Sequence, residues 1–236
     1  MKKTLGIIGG MGPAATCDLM EKIISLTAAD RDQDHIHVIA DVNTNIPDRT
    51  AAILRGGDDP APELIRSAER LAAAGAELLL IPCNTAHYYF DRVAAAANVP
   101  ILHMPRLTAA ALREAGVKKA AVLATEGTVR SGVYENALRA EGIEPLYPDD
   151  EDEDVVMRLI YDGVKARRAD LTAFPVREVL DGLRARGAER FVLGCTELPI
   201  AFRELGIDED CVDPTRVLAF AAVRAAGAET TAEHPW

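Results

Sequence analysis

The chain has 236 residues, 49% hydrophobic and 27% charged, which is enough for one large or two small domains with buried cores. Its 26 Lys and Arg against 37 Asp and Glu give a net charge of −11, which argues against nucleic acid and anionic membrane as partners. The longest apolar stretches are strand-sized, so no transmembrane helix is expected, and Gly9-Gly10-Met11-Gly12-Pro13 cuts the first of them too short for a signal peptide.

Strand and helix patterns alternate along the chain. Residues 4–8 are an apolar run ending in glycines, 14–26 have helical spacing, and 36–40 read as a strand before a polar loop through Asn45-Ile46-Pro47-Asp48-Arg49. Residues 62–74 are helical, 77–81 a buried strand, 86–96 a helix, 101–102 a short strand and 107–115 a helix. Strands at 120–123 and 145–147 flank a helix at 131–140. Helices at 153–167 and 171–186 lead to a strand at 191–193, and the last helix covers 215–226. Such alternation implies parallel sheets covered by helices on both faces.

The pattern also repeats. Leu5-Gly6-Ile7-Ile8-Gly9-Gly10-Met11-Gly12 with Thr16 is echoed 115 residues later by Ala120-Ala121-Val122-Leu123-Ala124-Thr125-Glu126-Gly127 with Ser131, and Cys83 is echoed by Cys195. The expected architecture is therefore α/β: two similar doubly wound parallel-sheet domains related by pseudo-twofold symmetry. Residues 1–105 with 208–236 would form one domain and 106–207 the other. Ligands of open α/β sheets sit beyond the carboxyl ends of the strands, so facing halves would share one cleft.

Two segments bear on that cleft. Leu79-Leu80-Ile81-Pro82-Cys83-Asn84-Thr85 and Phe191-Val192-Leu193-Gly194-Cys195-Thr196 are each a buried-type strand ending in cysteine, followed by small polar residues and a helical pattern. There, helix N–H groups and the helix dipole favour thiolate. One such cysteine in each half suggests an acid and a base flanking a small molecule. The other two, Cys17 and Cys211, read as small core residues. Four cysteines without an export signal read as reduced thiols of a cytoplasmic protein.

Other motifs have weaker claims. Gly10-Met11-Gly12-Pro13-Ala14-Ala15 fits a dinucleotide fingerprint, but Pro13 removes a phosphate-facing N–H and Asp41 lies too far downstream. His35, His37 and His103 lack metal-ligand spacing, so no metal is expected. His87, four residues after Cys83, either helps as a base or bonds to nearby backbone. The acidic run 149–154 reads as a solvated cap, and the tail from 229 to 236 as loosely ordered.

Gly9-Gly10-Met11-Gly12-Pro13, Asn45-Ile46-Pro47-Asp48-Arg49, Pro82-Cys83-Asn84-Thr85-Ala86-His87 and Gly194-Cys195-Thr196-Glu197-Leu198 together resemble the signature segments of the aspartate/glutamate racemase family. Glu197 and the Arg49 loop are most similar to aspartate racemases, since glutamate racemases usually carry histidine at the position of Glu197. The resemblance implies a racemase of an acidic amino acid that needs no cofactor, with Cys83 and Cys195 as its two bases and a homodimeric assembly. It also implies that Lys165 binds the side-chain carboxylate. Arg49 suits the same carboxylate, because a guanidinium binds it through two parallel hydrogen bonds.

Asn84, Thr85 and Thr196, with the loops containing Met11 and Thr125–Thr128, would supply donors to the α-carboxylate as it gains ene-diolate character. Glu197 either caps its own helix or tunes Cys195. A glutamate, hydantoin or broad-specificity racemase, a maleate isomerase or an arylmalonate decarboxylase would share these features, as would a non-catalytic binding protein. A thiol redox protein would instead bring the two cysteines into disulfide range.

Overall fold

The computed structural model describes residues 2–236, and its elements follow the alternation read from the sequence. The first half runs β1 (Leu5–Gly9), α1 (Pro13–Leu26), β2 (Val38–Val42), α2 (Arg49–Leu54), α3 (Ala61–Ala73), β3 (Leu78–Leu80), α4 (Phe90–Ala96) and α5 (Met104–Glu114). The second half opens with β4 (Lys119–Leu123), α6 (Glu126–Arg130), α7 (Val133–Ala140), β5 (Glu144–Leu146) and α8 (Asp150–Arg158). It continues with α9 (Val176–Ala185), β6 (Arg190–Leu193), α10 (Leu198–Glu204), β7 (Cys211–Val212) and α11 (Pro214–Ala225). A 3₁₀ turn, Thr85–Tyr89, precedes α4, and a π-helical segment, Leu159–Lys165, continues α8.

Every strand pairing within the two sheets is parallel. The orders are β2-β1-β3, with Ile101 bridging to Leu79 beyond β3, and β5-β4-β6-β7. Strand for strand the halves match, with Ile101 standing where β7 stands in the other sheet. The inner strands β1 and β3 are wholly buried, as helices on both faces require, whereas the edge strand β2 is only partly covered. The helix after each fourth position then crosses over: α5 packs on α7 of the second half and α11 on α1 of the first, and the two pack on each other.

Several local outcomes differ from the sequence reading. The chain was expected to return to the first half near residue 208, but Cys211 and Val212 pair with Phe191 and Val192, so the crossing falls at Asp213. The loop at Arg49 is helical, started by the Asp48 side chain accepting from the Ala51 N–H at 2.7 Å. The helix expected at 131–140 starts only at Val133, after Gly132 in the left-handed region at φ 71°, and a separate short helix, α6, precedes it. Cys17, expected in the core, is exposed because α1 turns that face to solvent. The tail, expected to be loose, is tied down by an N–H from Thr231 to the Leu26 carbonyl and one from Ala28 to the Glu229 carbonyl.

An ionic network, buried at Lys22 and Asp18 and exposed at Arg203, ties the halves together. Lys22 of α1 pairs with Asp18 and, at 2.5 Å, with Asp213, while Arg203 of α10 pairs with Asp18 at 2.9 Å. Removing one partner of such a buried pair typically costs about 3–5 kcal/mol, because the other is left charged and unpaired.

Candidate active site

Both cysteines sit just past the ends of inner strands, one in each half. β3 continues through Ile81-Pro82 to Cys83, and β6 through Gly194 to Cys195. Gly194 fits closely there, since a Cβ would lie 3.1 Å from the Leu123 carbonyl oxygen and the Ala124 Cβ. Both thiols are buried and free. They border one small cavity of about 20 Å³, which Met11, Arg49, Asn84 and Thr85 enter from the first half. Thr125, Lys165, Thr196 and Glu197 enter it from the second.

The two cations reach the cavity from corresponding crossovers. Arg49 opens α2, between β2 and α3, and Lys165 ends the π-helical segment between β5 and α9. The Arg49 guanidinium is held by the carbonyls of Pro47 at 2.9 Å, Ile46 at 3.3 Å and Met11 at 3.4 Å. Its Nε is buried and has no partner among the described residues. Burial works against both positive charges. Cys83, Asp48 and Glu197 outweigh it at Arg49, and Glu197, Cys195 and Tyr161 do so at Lys165, leaving both pKa values above the ordinary range. The Lys165 ammonium also lies 4.3 Å from the centre of the Tyr161 ring.

Polar groups complete the walls. Asn84 accepts a 2.6 Å hydrogen bond at Oδ1 from the Tyr134 hydroxyl, which fixes the amide so that its buried Nδ2 is left without a partner among the described residues. The hydroxyls of Thr85, Thr125 and Thr128 form a triangle, with Thr85 at 2.7 Å from Thr128 and 3.2 Å from Thr125. Of the three, Thr128 does not line the cavity but backs Thr85 and Thr125, and Thr125 also caps α6. On the opposite wall, the Cys195 thiol donates to Glu197 Oε2 at 3.0 Å, and the Thr196 hydroxyl donates to the same oxygen at 3.4 Å. Burial first, and the Glu197 charge second, push the Cys195 pKa well above the ordinary thiol range.

His87 does not act in this cavity. Its Nδ1–H donates to the Cys83 carbonyl at 2.9 Å and its Nε2 accepts the Met104 N–H at 3.1 Å, so both nitrogens are used. Burial and the neighbouring His103 push its pKa down to about 3, leaving a neutral ring that braces the backbone of Cys83 against α5. Sequence reasoning missed Asp48, Thr50 and Tyr161 on the cavity wall and Tyr134 behind Asn84. Asp48 and Thr50 were signalled by adjacency to Arg49, whereas Tyr134 carried no local signal.

Among the described residues, no group of three or more His, Cys, Asp or Glu is arranged to hold a metal ion, and no helix is long and apolar enough to cross a membrane. The chain superimposes on a Picrophilus torridus aspartate racemase with a TM-score of 0.86 at 32% identity, covering 97% of this chain and 96% of that one. It is 30% identical over 151 residues to a broad specificity amino-acid racemase of Bacillus subtilis, covering 61% of this chain and 64% of the relative. It is 32% identical over 192 residues to a glutamate racemase of Desulforudis audaxviator, covering 72% of this chain and 63% of the relative. The chain thus spans a little under two thirds of the length of these last two proteins. The Asp/Glu/hydantoin racemase family model matches residues 8–222. With paired strand-end cysteines in two similar halves and a family match across nearly the whole length, the chain belongs to the Asp/Glu/hydantoin racemase family.

Proposed function

We propose that the protein racemises an acidic amino acid, with aspartate the preferred substrate, using Cys83 and Cys195 as two bases on opposite faces of the α-carbon and no cofactor. The observation that carries this reading is the pair of buried, free cysteines on one small cavity that also holds a cation from each half. In one direction the thiolate of one cysteine takes the α-proton, leaving an ene-diolate carbanion, and the thiol of the other delivers its proton to the opposite face. The cysteines end with their protonation exchanged, and proton exchange with solvent resets them. Held neutral by burial and Glu197, Cys195 begins as the proton donor.

The α-proton is a very weak acid, so the developing charge needs donors fixed in advance. The unpartnered Asn84 Nδ2 and the Thr196 hydroxyl serve the α-carboxylate. The unpartnered Arg49 Nε and the Lys165 ammonium serve the side-chain carboxylate, and together they offset the repulsion of a dicarboxylate by a chain of net charge −11. The tight cavity and the likeness to an aspartate racemase favour the shorter substrate.

The test is to incubate reduced protein with L-aspartate in D₂O without pyridoxal phosphate, following the α-proton by NMR and the product by chiral chromatography. Signal loss with accumulation of D-aspartate is expected, and Cys83→Ser and Cys195→Ser should each lower the rate about 10²–10⁴-fold. Wild-type turnover in either variant would refute the two-base assignment. Turnover of glutamate and not aspartate would transfer the reading to the longer substrate.

A further inference from the structure

Gly127 opens the second half's counterpart of the Met11–Gly12 loop, and the carbon it lacks is where the two halves touch. A Cβ on Gly127 would lie 2.5 Å from Thr50 Oγ1, 2.9 Å from Thr50 Cα and 3.0 Å from Thr50 Cβ. Thr50 is buried on α2 immediately after Arg49, and α2 packs on α6 across the cleft. Because the contact includes the Thr50 Cα and Cβ, side-chain rotation alone does not relieve it. The reciprocal contact is looser: a Cβ on Gly12, in the first half, would meet only Glu197 Oε1 of the second, at 3.4 Å. Gly127 itself has no left-handed backbone and lies within α6, where alanine is a better helix former than glycine. Nothing local therefore asks for glycine at 127; the partner helix does.

We infer that Gly127 is the spacer that sets the width of the cleft and, through Thr50, the depth to which Arg49 reaches into it. An added methyl must push α2 outward, withdrawing Arg49 and lengthening the pocket at the side-chain end. Gly127 is thus a specificity-determining position that holds the site to a short dicarboxylate. This specificity half rests on the acidic-amino-acid reading given above; the cleft-width half does not.

The experiment compares wild type, Gly127→Ala and Gly127→Ala/Thr50→Gly, the last removing two of the three crowded atoms. The first readout is the rate of iodoacetamide alkylation of Cys83 and Cys195, followed peptide by peptide by mass spectrometry, which needs no substrate. Alkylation should accelerate at least about fivefold in Gly127→Ala and return toward wild type in the double variant. The second is kinetics: Gly127→Ala should raise KM for aspartate about tenfold with a smaller change in kcat, and should raise the ratio of kcat/KM for glutamate over aspartate. Thermal unfolding separates these effects from misfolding. Unchanged alkylation in a folded Gly127→Ala variant would overturn the inference, as would acceleration that the Thr50→Gly change does not reverse. If alkylation responds as expected while wild type racemises neither amino acid, the spacer stands and the proposed substrate class falls.

Discussion

The contact between Cys195 and Glu197 allows a quantitative test. Replacing Glu197 by Gln keeps the shape and removes one negative charge 3.0 Å from the Cys195 sulfur. At an effective dielectric constant of about 20, two unit charges at that distance interact by about 5 kcal/mol. Lys165 already opposes Glu197 at this thiol, and the burial that contributes most to the shift remains, so the surviving effect is smaller. The Cys195 pKa should move down, since the lost charge disfavoured the thiolate. The assay is the pH dependence of Cys195 carboxamidomethylation, read by peptide mass spectrometry in wild type and Glu197→Gln. A midpoint that stays in place or moves up would show that the carboxylate does not hold the proton on this sulfur.

Three further outcomes follow from the same site. His87, with a folded pKa of about 3, binds its proton more readily when the chain is unfolded, so its contribution to stability is complete above about pH 6.5 and is lost as pH falls toward 3. Between pH 7 and pH 5 that loss is about 2 kcal/mol, and urea titrations should show a shallower acid decline in His87→Asn than in wild type. Tyr134→Phe removes the only hydrogen bond found to Asn84 Oδ1 among the described residues, which should cost about 1–3 kcal/mol in urea unfolding and lower kcat/KM as the amide loses its fixed direction. Arg49→Lys keeps the charge but loses the fork, so kcat/KM for aspartate should fall about 10–10²-fold, and an unchanged value would remove Arg49 from substrate recognition.

What the sequence made legible was what it repeated. The two strand-to-cysteine segments and the echo between Gly12 and Gly127 disclose both halves and point to a cleft between them, because buried strands and glycine turns are local signals. Features that depend on a distant partner were not legible. α2 is six residues long and held by its Asp48 cap and by α6, so its propensity alone reads as loop. β7 is only two residues, and nothing but its pairing with β6 marks it as a strand. Tyr161 comes to the cavity wall through a π-helical turn, which rotates the face expected of an ordinary helix. His87 had two equally local explanations, and the Met104 N–H, 17 positions away, decides between them.

The halves repeat in strand order, yet the two cysteines do not share an environment. Cys195 has a carboxylate against its sulfur, while Arg49 stands close enough to Cys83 for that cysteine to raise the guanidinium pKa. In the proposed reaction substrate and product are mirror images of equal free energy, so no arrangement of protein charges can displace the equilibrium from one. The ratio kcat/KM must then be the same from either enantiomer. The asymmetry can appear only as compensating differences in kcat and KM, because one direction starts from the protonation state the resting site already holds and the other must first exchange it. Progress curves begun from L- and D-aspartate should therefore differ in kcat and in KM by one common factor. That factor should shrink toward one in Glu197→Gln, where the main difference between the two thiols is removed. Equal kcat values in wild type would mean that the cysteines, despite their surroundings, exchange protons faster than the slow step of either direction.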